Sequence, residues 1–275
     1  DEFIGQGDSF LKAIGYLKEA GYAVVGIKPL TLASLKAFGK PSFAIVHAHG
    51  GVWTGAGTEY MISSEEKVTD ATEALYAADL DAGNLAYTCN GLLARLGLSS
   101  RGRYLVGSGW VRKYWSFGEG AMAILYACNS GSASAAAFRE AVFGKAGGKA
   151  TIIGWNGPAS NLAAPAIVRL VDRMTAANRE EPQTYGNRAF DFTDTWAYLR
   201  RVGLTNDPHG TQLARFVRGE APAFLPAIKR LTFQEGDEMI LEGDFGNQEG
   251  TVTVGGAPVT LLSWGPSEIS VRLPK

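Results

Sequence analysis

Cysteine is scarce in this chain: two in 275 residues, Cys89 and Cys128. That excludes a disulfide-stapled scaffold, so the fold must rest on its core. Histidine is limited to His47, His49 and His209. Neither sign of charge dominates, with 26 Lys and Arg against 27 Asp and Glu and a net charge of -1. A generic nucleic-acid or anionic-membrane binder would carry a basic surplus, so both classes are set aside. No apolar run approaches the roughly 20 residues of a membrane helix. No serine sits in a Gly-x-Ser-x-Gly elbow, which argues against a serine hydrolase despite the His49-Gly50-Gly51 turn. There is no internal helical repeat, no low-complexity segment and no visible secretory leader. Asp1 stands where an initiator Met would be and is expected to mark a processing boundary.

What is present is a core. Hydrophobic residues make up 46% of the chain and charged residues 19%. That composition gives an ordered protein with room for a large domain and a smaller one. Phe10, Leu11, Ile14 and Leu17 follow helical spacing up to Gly21, and Tyr22–Ile27 reads as a short strand. Thr31 can cap a helix carrying Leu32, Leu35 and Phe38, and Phe43–Val46 is the next strand. Alternating helices and strands imply right-handed crossovers and a mostly parallel sheet.

Between Gly50 and Gly120 the pattern loosens. Expected elements are a strand at Glu59–Ser63, helices at Thr69–Ala78 and Leu85–Leu96, and a strand at Tyr104–Val106. Trp110, Tyr114, Trp115 and Phe117 read either as a binding surface or as packing of this insertion onto the core. Asp79, Asp81 and Asn84 have a calcium-loop look without the downstream Glu, so a solvated turn is expected.

Ala123–Ala127 is a buried strand, and Ser130 or Ser132 can cap a helix running to about Phe143. Another strand at Ala150–Gly154 leads to Trp155-Asn-Gly-Pro158. Ile167, Leu170, Val171 and Met174 mark one amphipathic helix, and Phe192, Trp196 and Leu199 another. Thr211–Val217 reads as a weaker helical segment. Beyond Arg218–Pro226 helical periodicity stops. Met239–Leu241, Thr251–Val254, Val259–Leu262 and Glu268–Leu273 read as short strands of an all-β domain. The expected domains are 1–220 and 228–275.

Sites in parallel sheets form at the carboxyl ends of strands. His49 and Cys128 each follow a predicted strand end, and each is followed by a glycine-containing turn. A cysteine attacks as thiolate, which a neighbouring imidazole and a helix N-terminus both favour. The N–H groups of Gly50 and Cys128 are candidates for an oxyanion hole. Taken singly, a strand-end Cys or His is more often structural; the pairing is what points to chemistry. Cys89, without a partner, reads as a small buried apolar residue. His47 and His49 share a face of an extended strand and resemble the metal pair of amidohydrolases. His209 is the sole further histidine, in a distant Asn-Asp-Pro-His-Gly turn, so no metal and no other cofactor are expected.

His49-Gly50 after one hydrophobic strand and Ala127-Cys128 after a later one resemble the motifs of clan CD cysteine peptidases. That group includes caspases, legumains, gingipains, clostripain and CHAT domains. Asn129-Ser130-Gly131 is most similar to the legumain-like and CHAT-like members, and Lys149–Pro158 resembles the strand that borders their S1 pocket. Over residues 10–205 the resemblance implies a caspase-like three-layer αβα fold. It implies a Cys128/His49 dyad cleaving a peptide or protein substrate, with Trp155 and Asn156 as pocket walls. Caspases carry Gln-Ala-Cys-Arg-Gly where this chain has Tyr126-Ala-Cys-Asn-Ser130, so aspartate specificity is not implied. No acidic residue immediately precedes Cys128, so neither is arginine specificity.

The tail from Leu231 to Pro274 resembles an IPT/TIG domain of immunoglobulin-like type. The matching residues are Ile240, Gly243-Asp-Phe-Gly246, Gly250, Val252–Gly256, Ser263-Trp264, Ile269, Val271 and Pro274. Such domains act as spacers or adhesion modules, which implies an extracytoplasmic protein with surface or protein contacts through this tail.

Overall fold

The computed structural model describes residues 7–20, 22–54, 58–89, 101–159, 164–175, 179–180, 192–206, 210–219, 227–234, 236–245, 249, 251–254, 257–265 and 267–274. The chain is mixed α/β, with one mostly parallel sheet and separate antiparallel sheets. It divides into two compact units. One comprises residues 25–160 and 205–222; the other comprises 1–24, 161–204 and 223–275. Among the described residues no helix is long and apolar enough to cross a membrane.

The first unit holds the parallel sheet. Its strands are β1 (Phe43–His47), β6 (Ala121–Tyr126), β7 (Ala150–Trp155) and β8 (Leu213–Arg218), in the order β1-β6-β7-β8. The first three run parallel and β8 is antiparallel to β7. All six residues of β6 and of β7 are buried, which is why both read as continuous apolar runs. Thr211–Val217 is therefore not helical. Phe216 packs on the core and under the guanidinium of Arg139, and a six-residue ladder with β7 outweighs weak helical spacing. Tyr22–Ile27 forms no strand. Val25 is 82% exposed, so the run buries no face, and the boundary between the two units falls within it.

A second sheet occupies the stretch between β1 and β6. It comprises β2 (Gly50–Trp53), β3 (Glu59–Lys67), β4 (Leu85–Cys89) and β5 (Arg101–Val106), in the order β2-β3-β5-β4, all antiparallel. Leu85–Cys89 is thus a strand and not the start of a helix. Leu85 is buried and Tyr87 packs on the core, while Ala86 pairs with Leu105 across the ladder. The rest of that expected helix, and the Cys89 side chain, lie outside the described residues. Both sheets contribute to one core: Val46, Ala123, Leu125 and Ile152 from the first, Tyr60, Ile62, Tyr104 and Val106 from the second.

Helices fill in around this core. Helix α2 (Leu32–Lys36) is capped by Thr31, and α3 (Asp70–Asp81) by a Thr69–Thr72 capping box. Helix α4 (Ser108–Tyr114) carries Trp110, and α5 (Ala136–Lys145) carries Phe138 and Val142. Trp110 and Trp115 are fully buried, so the aromatic segment is core packing and not a surface. Asp79 is not in a solvated turn: it is buried, and its carboxylate accepts from Asn84, Lys113 and Tyr114. Burial pushes that carboxyl up, but the three hydrogen bonds together outweigh it and hold the group below its ordinary range.

In the second unit, α1 (Gly7–Glu19) packs on α6 (Ala164–Met174), and α6 packs on α7 (Phe192–Arg201). Asp172 is buried and accepts from the N–H groups of Arg179 and Glu180. The same unit holds β9 (Ala227–Phe233), β10 (Glu238–Asp244), β13 (Thr260–Trp264) and β14 (Glu268–Arg272) in an antiparallel sheet ordered β13-β14-β10-β9. A two-stranded ribbon joins β11 (Thr253–Val254) to β12 (Ala257–Pro258), shorter than the expected Thr251–Val254 strand. Met239, Leu241, Phe245, Ile269 and Val271 form a small core of their own.

Candidate active site

Strands β1 and β6 are neighbours in register, with His47 opposite Tyr126. The Ala48 N–H donates to Tyr126 O at 3.2 Å and carries the ladder one step further. His49 and Cys128 follow directly, so two adjacent strands deliver them at the same end of the sheet. Gly50 lies against the cysteine turn: an added Cβ there would sit 2.8 Å from Cys128 O and 3.0 Å from the Ala127 Cβ. No larger residue fits, which accounts for the glycine. His49 is exposed and Cys128 is partly exposed.

The 127–132 turn is tightly built. At its start the strands part, and Ser130 Oγ fills the gap between them. It donates to Leu125 O at 2.7 Å and accepts from the Trp155 N–H at 3.0 Å. Asn129 takes a left-handed backbone at φ 60, a conformation that asparagine tolerates better than most residues. Gly131 N–H donates to Trp155 O at 2.7 Å. Arg139, buried in α5, donates to Ser130 O and Ser132 O and locks the turn from below.

Ser130 caps no helix, and Ser132 holds the N-cap position of a 3-10 turn without a side-chain cap hydrogen bond. Ser130 is spent between the strands, and Ser132 Oγ donates to Asn129 O at 2.7 Å. A single 3-10 turn (Ala133–Ala135) follows, and α5 begins only at Ala136. The helix N-terminus expected beside Cys128 is therefore displaced down the chain. In its place the Ala159 N–H donates to Cys128 Sγ at 3.3 Å.

Ser63 N–H donates to His49 O at 2.8 Å, so the Gly50–Ile62 pair is of the non-hydrogen-bonded kind. The Gly50 N–H accordingly points away from β3, off the free edge of β2. Among the described residues the Cys128 N–H has no hydrogen-bond acceptor.

Trp155 is 1% exposed and packs edge-on to Tyr126, with ring centroids 6.2 Å apart. Its ring is inside the protein. Asn156 is exposed, and its side chain is taken up by β8: Asn156 Oδ1 accepts from the Gln212 N–H at 2.7 Å. The sequence pattern suggests Ser130 as a helix cap rather than as a bridge between strands, and it carries no local signal for Arg139 or Tyr60.

His47 stacks on Tyr126 with ring centroids 4.8 Å apart. Burial first and the adjacent His49 second bring its pKa down to about 4, with Glu65 pulling weakly the other way. The unfolded chain takes up this proton near pH 6.5 while the folded chain refuses it until about pH 4. Stability should therefore fall through that window and level off below it, as far as this group is concerned. His47→Phe keeps the stacking and should flatten that part of the slope, read from urea midpoints between pH 7 and pH 4.5. An unchanged slope would mean that His47 titrates normally.

Among the described residues no group of three His, Cys, Asp or Glu side chains could hold a metal ion. His209 lies outside the described residues.

No protein-family model, curated protein or solved structure matches this chain. The functional reading therefore rests on geometry and on the motifs themselves.

Proposed function

We propose that this chain is a cysteine peptidase of the clan CD type, with a caspase-like catalytic fold and an IPT/TIG-like tail, working outside the cytoplasm. The observation that carries this is the pairing of β1 with β6 in register, which sends His49-Gly50 and Cys128 off neighbouring strand ends with Gly50 against the Cys128 carbonyl. The Cys128 N–H, which has no acceptor among the described residues, supports it further.

The chemistry follows from these roles. The Cys128 thiolate adds to the scissile carbonyl carbon and a C–S bond forms. The carbonyl electron pair moves to oxygen, where the N–H groups of Gly50 and Cys128 receive it. As the tetrahedral species collapses the C–N bond breaks and His49 protonates the departing amine. Water, deprotonated by His49, then hydrolyses the thioester and the thiol is restored. The main chain after β7, from Asn156 to Ala159, lies beside the sulfur and is the natural border for the residue preceding the cleaved bond.

The test is a peptide-amide library together with a peptidyl acyloxymethyl ketone, the adduct being mapped by mass spectrometry. Cleavage with an adduct on Cys128 is expected. His49→Ala should lower the turnover by about 100-fold or more, since it removes the proton donor. Adducts distributed equally over Cys89 and Cys128, with no cleavage, would end this reading.

A second reading is a catalytically inactive scaffold kept for binding. Two observations favour it: the Ala159 N–H already occupies the sulfur, and Ile228, Leu231 and Phe233 of edge strand β9 are 57%, 51% and 69% exposed. Absence of turnover on every library peptide would select it.

A further inference from the structure

We propose that Tyr60 is a positioning residue for Cys128, its hydroxyl holding the peptide plane between Cys128 and Asn129; this rests on the thiol-peptidase reading. The hydroxyl of Tyr60, on β3, donates to Cys128 O at 3.1 Å. The opposite end of the same peptide unit is held too, because Asn129 N–H donates to Gly157 O at 2.8 Å. A peptide plane gripped at both ends cannot rotate without breaking one bond or the other. Its rotation is the coupled change of ψ at Cys128 and φ at Asn129, and Asn129 is held at φ 60, a costly value for a residue with a Cβ. The grip thus fixes the main chain on the C-terminal side of the Cys128 Cα, which carries the thiol.

The same hydroxyl reaches the histidine side. An added Cβ on Gly50 would fall 2.2 Å from Tyr60 Oη, so the hydroxyl rests against the backbone from which His49 projects. One buried atom therefore abuts both turns. Burial first, and Cys128 second, push the hydroxyl well above the usual tyrosine range, so it remains a donor at any working pH. The ring is 1% exposed and meets Phe138 edge-on at 5.6 Å, contacts that a phenylalanine would keep.

Tyr60→Phe removes the grip together with the contact between this hydroxyl and the Ser130 side chain. Tyr104→Phe is the control: Tyr104 is also buried in the second sheet, and its hydroxyl donates to Thr72 Oγ1 at 3.1 Å. Both variants should lower the melting temperature by about 2–4 °C. Tyr60→Phe alone should lower kcat about tenfold or more while KM stays within about twofold. It alone should also change the rate of Cys128 alkylation by iodoacetamide, followed by peptide mapping, by about threefold or more. Equal kcat values and equal alkylation rates in the two variants would overturn the assignment. If the parent protein cleaves no peptide, the peptidase reading fails separately and the alkylation comparison still decides: a rate in Tyr60→Phe equal to that of the parent overturns the positioning role, and a changed rate sustains it.

Discussion

Cys128→Ala is expected to leave a folded protein whose peptide hydrolysis has fallen by about 10,000-fold or more. The size follows from the role assigned to the sulfur. Without it no acyl-enzyme forms, and the donors of Gly50 and Cys128 are left to act on a substrate with no nucleophile. The fold should barely notice. Cys128 is partly exposed, and what is lost is the N–H contact from Ala159 to the sulfur and the longer one from the sulfur to Ala159 O at 3.9 Å. A change within about 1 kcal/mol is expected, too small to confuse with loss of structure. Cys128→Ser sharpens the test. Its hydroxyl can still accept from Ala159 N–H, but it is a far weaker nucleophile near neutral pH, so activity should stay close to the Ala level. Progress curves on the best library peptide, alongside melting temperatures, measure both quantities. Retention of more than about a tenth of the activity by the Ala variant would place the nucleophile elsewhere, given the far larger losses that follow nucleophile removal.

Gly154→Ala should do the opposite, damaging the fold first. An added Cβ at Gly154 would lie 2.8 Å from Gly131 N and 2.8 Å from Ser130 Oγ. One at Gly131 would lie 2.9 Å from both the carbonyl carbon and oxygen of Gly154. The two glycines face each other with no room for a methyl on either side. What must give is backbone, and with it the Ser130 bonds that join β6 to β7. A loss of about 2–4 kcal/mol is expected, or roughly 5–15 °C in melting temperature. Gly144→Ala provides the contrast. Nothing lies within 4 Å of a Cβ there, and the residue is inside helix α5. That substitution should stabilise by about 0.5–1 kcal/mol through helix propensity. Equal effects at the two positions would mean that the close approach of Gly131 and Gly154 is not a constraint.

How much of this was legible varied with the physics of each segment. Strands β6 and β7 declare themselves because strands buried on both faces become continuous apolar runs, while β1, which buries alternate residues, is legible from its short apolar stretch after a helix. Their parallel direction follows from the crossovers, and the strand ends then point to His49 and Cys128; that β1 lies next to β6 is seen only in the fold. Half-buried strands were harder. Leu85–Cys89 and Leu213–Arg218 are edge strands, the first in the second sheet and the second in the parallel sheet, where few apolar residues are needed and helical spacing arises by chance. Misreading the latter had a consequence at the site. Asn156 bonds Gln212 at the start of β8, so its structural role was hidden as long as Thr211–Val217 read as a helix. Tyr60 was invisible for a different reason. A tyrosine in a strand reads as core, and nothing local indicates that its hydroxyl ends 68 residues away at Cys128 O.

The second sheet also bears on how the chain assembles. Parallel pairing of Phe43 with Met122 closes a long stretch of chain, and such closures are entropically costly and slow. All four strands of the antiparallel sheet lie inside that stretch. Gly50 pairs with Ile62, and Ile62 with Val106, so once these strands zip up, the two ends of the insertion are drawn near each other. The remaining search for β6 by β1 then covers a short tether instead of a long one. The order of events that follows is antiparallel sheet first and parallel register second, with the His49–Cys128 pair among the last features to form.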